Sequence, residues 1–179
     1  MIKPLMKTQK GFTLVEILIV VSLIAILAVV ALVTINPAEA QRRARDTQRI
    51  KDLASMQSII EQYLSDNPTS FSATNKVSLG GINACGTTGW LGVDMCAYAN
   101  TMPIDPVNRT SVVATTAAGG TVTAGAVYEM IINAQGQYHI CTRLESRANV
   151  NKLTNDGSAN DYFEVFSITG ITACDGANG

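Results

Sequence analysis

Few residues in this sequence could carry chemistry, and they fall into three groups. The first is sulfur and imidazole. Cys85, Cys96, Cys141 and Cys174 are the only cysteines, and the single histidine, His139, stands two residues before Cys141. On a strand, alternate residues share a face, so His139 and Cys141 would lie side by side. A cysteine beside a histidine is one form of activated nucleophile, and a thiol-dependent enzyme is one reading of the pair. An even cysteine count fits two disulfides instead, leaving His139 as a surface residue. Four free buried thiols are the plain alternative, and the absence of a C-x-x-C spacing argues against zinc. The second group is oxygen. The run Asn155-Asp156-Gly157-Ser158-Ala159-Asn160-Asp161 offers the side chains of Asn155, Asp156, Asn160 and Asp161. Calcium takes about six to eight such oxygens. The spacing is not that of an EF-hand, and Asn-Asp-Gly is also an ordinary turn. The third is a lone acid, Glu16, inside an apolar run. No phosphate-binding loop and no paired-acid motif accompanies these groups. The sequence therefore predicts no enzyme, and any nucleotide hydrolysis must come from a partner.

The element that positions Glu16 is the segment Phe12–Ile35, broken only by Thr13, Glu16, Ser22 and Thr34. At 1.5 Å per residue, about 20 apolar residues cross a hydrocarbon core of roughly 30 Å, so the segment is long enough to span a membrane. A charge at the bilayer centre costs roughly 2.5–3.5 kcal/mol on insertion scales, which makes an intramembrane acid a functional candidate. Lys3, Lys7 and Lys10 precede the run. Ala38-Glu39-Ala40 has the A-x-A form of a secretory cleavage site. Against ordinary secretion, the apolar run exceeds the roughly 7–15 residues of such a core, and Glu16 has no use there.

The stretch Lys10-Gly11-Phe12-Thr13-Leu14-Val15-Glu16 resembles the class III signal of type IV pilins and type II secretion pseudopilins. The resemblance implies cleavage after Gly11 by a prepilin peptidase and N-methylation of the new terminus, Phe12. It also implies that Glu16, fifth in the mature chain, pairs with the Phe12 amine of a neighbouring subunit. The physics is consistent, since an unpaired carboxylate or ammonium in a water-free helix bundle is expensive. The implied partners are further copies of the chain and other pilins, the peptidase, and an inner-membrane assembly platform with a separate ATPase. The implied location is the cytoplasmic membrane, as a single-pass precursor with its N-terminus inside, and afterwards a surface filament. In some major pseudopilins an acidic loop late in the chain binds calcium, which is the context for Asn155–Asp161.

The rest of the chain divides into a leader (1–11), the apolar helix (12–35), an amphipathic helix half (36–68) and a C-terminal globular domain (69–179). Pro37 should loosen or kink the helix near Val33–Pro37, because it lacks an N–H and crowds the carbonyl four residues back. Ile50, Leu53, Met56, Ile60, Tyr63 and Leu64 form one apolar stripe at helical spacing. The full chain has 13 basic and 14 acidic residues, a net charge of −1. Loss of Lys3, Lys7 and Lys10 with the leader leaves 10 against 14, or −4, which is no nucleic-acid-binding balance. Arg42, Arg43, Arg45, Arg49 and Lys51 cluster locally, but Glu39, Asp46 and Asp52 interleave with them. The expected role is a solvated or subunit-contacting helix face.

After the helix, Thr69–Asn100 reads as an irregular connector with Trp90 as a packing anchor. Met102-Pro103-Ile104-Asp105-Pro106-Val107-Asn108 reads as a rigid turn, and Ala114–Gly125 as a loose surface loop. Ala126–Asn133 and Tyr138–Arg143 form a hairpin across Ala134–Gln137, and Tyr162–Ile168 adds a third strand. Four cysteines allow three connectivities; Cys85–Cys96, closing a short loop, and Cys141–Cys174, tying the tail to a strand, are favoured. Phe12 and Tyr63 are too far apart in sequence for a stacked aromatic path along the helix. The expected fold is α+β: a long N-terminal helix, apolar then amphipathic, packed on a small antiparallel sheet, as in the pilin fold.

Overall fold

A computed structural model describes residues 11–34, 36–67, 74–133, 135–157, 161–167 and 174. The leader ahead of Gly11, Ile35, Pro68, Ala134, Ser158–Asn160 and Ile168, all named in the expectations above, lie outside the described residues. The chain divides into two compact units, Met1–Ala40 and Gln41–Gly179.

In the first unit, α1 runs Leu14–Thr34 with no buried residue. Its 21 residues span about 31 Å at the standard helical rise, so it is long and apolar enough to cross a membrane. Its two hydroxyls are satisfied internally. Ser22 Oγ donates to the Ile19 carbonyl at 2.8 Å, and Thr34 Oγ1 to the Ala31 carbonyl at 2.9 Å. Neither needs water, as a hydrocarbon environment requires. The junction at Pro37 is a stop and a fresh start. α2 (Pro37–Asp66) begins at the proline itself, where a missing N–H is harmless. Asn36 Oδ1 accepts the Glu39 N–H at 3.2 Å as its cap.

In the second unit, α2 buries Leu53, Met56, Ile60 and Tyr63, the heart of the expected stripe, while Ile50 and Leu64 are half-buried. The same face continues upward through Asp46 and Arg49, which are also buried. Opposite the stripe stands a four-stranded antiparallel sheet in the order β1-β4-β5-β6. Its strands are β1 (Thr74–Val77), β4 (Glu129–Ile132), β5 (Tyr138–Thr142) and β6 (Phe163–Phe166). The expected hairpin is β4–β5, with Ile132 opposite Tyr138 and Glu129 opposite Cys141. Gly136 sits in its turn at φ +76°, a conformation that glycine adopts without a Cβ clash. Side chains of one parity (Tyr128 just ahead of β4, Met130, Ile132, Tyr138, Ile140) join the stripe in one core. Trp90, Leu91, Met95 and Met102 complete it, and Trp90 Nε1 donates to the Pro103 carbonyl at 2.9 Å. Two tyrosines tie the layers at their edges: Tyr128 donates to Asp52 at 2.7 Å and Tyr138 to Glu61 at 2.8 Å. The result is the expected α+β, pilin-like arrangement of helix on antiparallel sheet.

Two expectations need correction, and one segment without an expectation gains an element. Ala114–Gly125 is no loose loop: β2 (Arg109–Thr115) and β3 (Thr121–Ala126) pair as a second, two-stranded sheet. Its small residues carry almost no apolar pattern, so only the ladder reveals it. The connector 69–100 contains β1, whose Thr-Asn-Lys-Val sequence is that of an edge strand with little to bury. Residues 147–154, unassigned above, form a short 3₁₀ turn (Arg147–Asn149) leading into α3 (Val150–Thr154).

Candidate functional site

The N-terminal group is built on a local hydrogen-bond exchange. Thr13 N–H and Oγ1 donate to Glu16 Oε2 at 2.7 and 2.8 Å, and Glu16 N–H donates to Thr13 Oγ1 at 3.2 Å. Thr13-Leu14-Val15-Glu16 is a capping box, in which cap and third helical residue satisfy each other's amide donors. Glu16 therefore serves the start of α1 within a single chain, a use that the sequence reading did not assign to it. Gly11, Phe12 and Glu16 are all exposed.

In the second unit the basic cluster is dismantled by the fold. Arg49 is fully buried and held by three carboxylates. Its Nε and Nη2 bond Asp105 at 2.6 and 3.1 Å, its Nη1 bonds Asp46 at 3.0 Å, and its Nη2 lies 2.8 Å from Glu145. Arg45 reaches the same Glu145 from the helix surface, with Nε at 2.9 Å. Asp46 also accepts the backbone N–H groups of Glu145 and Ser146, each at 2.9 Å, and Asn149 Nδ2 at 2.9 Å. Asp105, from the proline turn, accepts the Val107 and Asn108 N–H groups at 2.8 and 3.1 Å. Three carboxylates face two guanidiniums, and backbone donors supply the remainder. Burial alone would lower the Arg49 guanidinium's pKa, but the Asp105 and Glu145 contacts hold it above its ordinary value. Burial likewise pushes the Glu145 carboxyl up, and the Arg45 hydrogen bond together with the Arg49 charge brings it below the usual carboxylate range. The expected solvated or subunit-contacting role is thus wrong for Arg49. Arg43 and Lys51 are exposed, while Arg42 and Arg45 are half-buried.

The cysteines form two bonds, Cys85–Cys96 and Cys141–Cys174, leaving no free cysteine. This removes the thiol nucleophile at Cys141. His139 is not on the surface, as expected above, but 5% exposed. Its Nε2 lies 3.1 Å from Glu164, and its ring meets Phe166 edge-on at 5.3 Å. It shares the sheet's second face with Cys141, against which Tyr162 and Cys174 pack. The ligand types Glu129, His139, Glu164, Cys141 and Cys174 gather there, but sulfurs bound to each other are not thiolate ligands.

The late acidic run is only partly described, and Asn160 lies outside it. Asp156 Oδ2 accepts the Glu164 N–H at 2.9 Å, and Asp161 Oδ1 accepts the Ala117 N–H at 2.8 Å. Asp161 Oδ2 lies 3.9 Å from Arg143 Nη1. Asp156 thus supports β6, and Asp161 reaches the turn between β2 and β3. Asn155 closes α3 as the residue after its last turn.

Residues 6–32 match the family model of the prokaryotic N-terminal methylation motif, the class III signal peptide of type IV pilins and pseudopilins. No curated protein and no solved structure matches the chain.

The buried network makes two predictions. Arg49→Ala leaves three carboxylates without their buried counter-ion, and breaking such a group costs about 3–5 kcal/mol. Arg49→Lys recovers only part of it, because an ammonium cannot form the two-pronged contact with Asp105; urea unfolding of the three proteins should rank them wild type, Lys, Ala. The Glu145 carboxyl is held below its unfolded value of 4.5. Its contribution is therefore complete above that pH and lost as pH falls through the lower folded value. Thermal melts should show stability dropping below pH 4.5, and Glu145→Gln should flatten that part of the profile.

Proposed function

We propose that this chain is the structural subunit of a type IV pilus or type II secretion-like pseudopilus. In this reading a prepilin peptidase cleaves after Gly11 and methylates Phe12, and the mature chain assembles through α1. The observation that carries it is the methylation motif over residues 6–32 leading into a helix whose 21 residues are all exposed and apolar enough for lipid or for like helices. Such a helix fits a precursor anchored in the cytoplasmic membrane that later moves into a filament core. The partners are other copies, the peptidase and a membrane platform with its own ATPase.

Glu16 has the central part. After cleavage Phe12 carries a new amine, charged near neutral pH. In a dry bundle that ammonium needs a counter-ion, and Glu16 of a neighbouring copy supplies one and sets the axial stagger. The capping box supports this assignment, because it holds the carboxylate at the first turn of α1 rather than leaving it to swing free.

The capping box also sharpens the experiment. Glu16→Ala removes both the cap and the charge. Glu16→Gln retains the reciprocal cap, since Gln serves at this position as well as Glu, and removes only the charge. Both proteins should be processed to a Phe12 terminus, seen by intact mass, and should remain in the membrane fraction. As the sole copy, each should give at least tenfold fewer filaments by electron microscopy. Normal filaments from Glu16→Gln would reduce the residue to a helix cap. A mature chain starting at Gln41 would instead indicate ordinary secretion and defeat the filament reading.

A further inference from the structure

The sheet's second face brings sulfur, imidazole and carboxylate donors together on three adjacent strands. Glu129 of β4 stands opposite Cys141 of β5, and Cys141 in turn stands opposite Glu164 of β6. His139 precedes Cys141 by two residues on the same strand, so both point to one face. Cys174 reaches this row from the tail through its bond to Cys141. All five residues are at most 5% exposed. One ligand atom from each of Glu129, Cys141 and Cys174 lies within 4.8 Å of the other two, and the same limit holds for His139, Glu164 and Cys174. Glu129 takes an amide hydrogen bond from Asn75 at 2.6 Å, but the disulfide beside it carries no charge to offset a carboxylate. Buried carboxylates are ordinarily paired or bound to metal. Two ligands on one tetrahedral zinc lie about 3.3–3.8 Å apart, given zinc–ligand distances of roughly 2.0–2.3 Å. Donors already within 4.8 Å of one another need close by only about 1–1.5 Å to reach that spacing, once the two sulfurs are free to separate.

We propose that this face is a zinc site in the chain whose Cys141–Cys174 bond has been opened. Cys141, Cys174 and Glu129 provide three ligands, and His139, held near Cys174 together with Glu164, provides the fourth. The opening is a two-electron reduction by a dithiol. The S–S bond breaks, each sulfur gains one electron and one proton, and the dithiol leaves as a disulfide. Zinc then displaces both thiol protons and forms two zinc–thiolate bonds. Thiolate and imidazole select zinc over calcium or magnesium, which take oxygen ligands. The bridge and the metal are alternative fastenings, and each ties the tail at Cys174 to β5. Cys85 and Cys96 provide an internal control, because among the described residues neither belongs to such a donor group. This site lies in the second unit and is independent of the filament reading.

The test uses the full chain in detergent, reduced with a phosphine, which ends as phosphine oxide with its oxygen from water, and then freed of reductant under argon. Cobalt(II) serves as the visible probe for zinc. The reduced chain should take up one cobalt with a tetrahedral ligand-field spectrum and a thiolate-to-cobalt charge-transfer band, and zinc should displace it. The oxidised chain should show neither band. The double variant Cys85→Ser, Cys96→Ser should bind as wild type does. The double variant Cys141→Ser, Cys174→Ser should lose the spectrum, and His139→Gln should weaken binding at least tenfold. Circular dichroism follows the fold in every sample; where reduction loosens the sheet, added zinc should restore it, since metal binding then drives folding. A reduced wild-type chain without the tetrahedral spectrum overturns the proposal, as does a reduced chain that unfolds and is not restored by zinc. A spectrum that survives Cys141→Ser, Cys174→Ser also overturns it, and so does unchanged affinity in His139→Gln.

Discussion

One fully buried guanidinium fixes the second unit. Arg49 projects from the face of α2 that otherwise packs apolar side chains, and its donors go to three carboxylates from different parts of the chain. Asp46 comes from the helix itself, Asp105 from the proline turn and Glu145 from the segment after β5. The network is therefore a long-range clamp, joining residues about a hundred positions apart in sequence. Each acid is also tied to backbone N–H groups or to Arg45, so the negative charges are solvated by the protein. A buried ion pair is no stabiliser in general, because desolvation offsets much of the attraction. What such an arrangement gives is discrimination: any other placement of the two loops strands a charge.

That clamp explains why an open groove at the head of α2, lined by Arg42, Arg45, Arg109 and Glu145, has a defined shape. Arg45 is drawn down to Glu145, Pro106 and Val107 follow Asp105 into the turn, and β2 starts at Arg109 directly after the turn ends. Asn108, the residue between them, takes a positive φ of 46°, which asparagine tolerates better than most residues. The surface charge on this end is what remains after burial has removed Arg49, Asp46 and Asp105 from it.

The parts of the structure that were legible in the sequence are those with periodic apolar pattern or punctuation. Leu53, Met56 and Ile60 repeat at helical spacing, and Tyr128, Met130 and Ile132 alternate, so helix, hairpin and their shared core follow from elementary geometry. Gly11-Phe12 with Glu16 was legible for another reason, as a short motif whose chemistry is local. The clamp was not legible. Arg49 lies among Arg42, Arg43, Arg45 and Lys51, and nothing in spacing separates the buried cation from the exposed ones. The only signal was positional: Asp46 and Arg49 extend the Leu53–Ile60 stripe upward at the same three- and four-residue steps. His139 is buried rather than exposed because Glu164, Phe166 and Cys174 gather around it on the sheet's second face, contacts without local trace in the sequence. The β2–β3 ladder went unseen because Thr, Ala and Gly say little about what they pair with.

The two disulfides bear on how the chain responds to force. A molecule drawn out by its ends normally releases the full contour of each domain that gives way. Here the bridges span 11 and 33 positions, and those segments cannot straighten while the sulfur bonds hold. At about 3.5 Å per extended residue, roughly 150 Å of contour stays locked. The second bridge also fastens the tail to β5, an interior strand of the sheet. Tension can peel away α2 and β1, yet the loop from Cys141 to Cys174 remains a closed knot of chain with β6 inside it. Under load the outer layer can therefore be lost while residues 141–174 stay in one covalent ring.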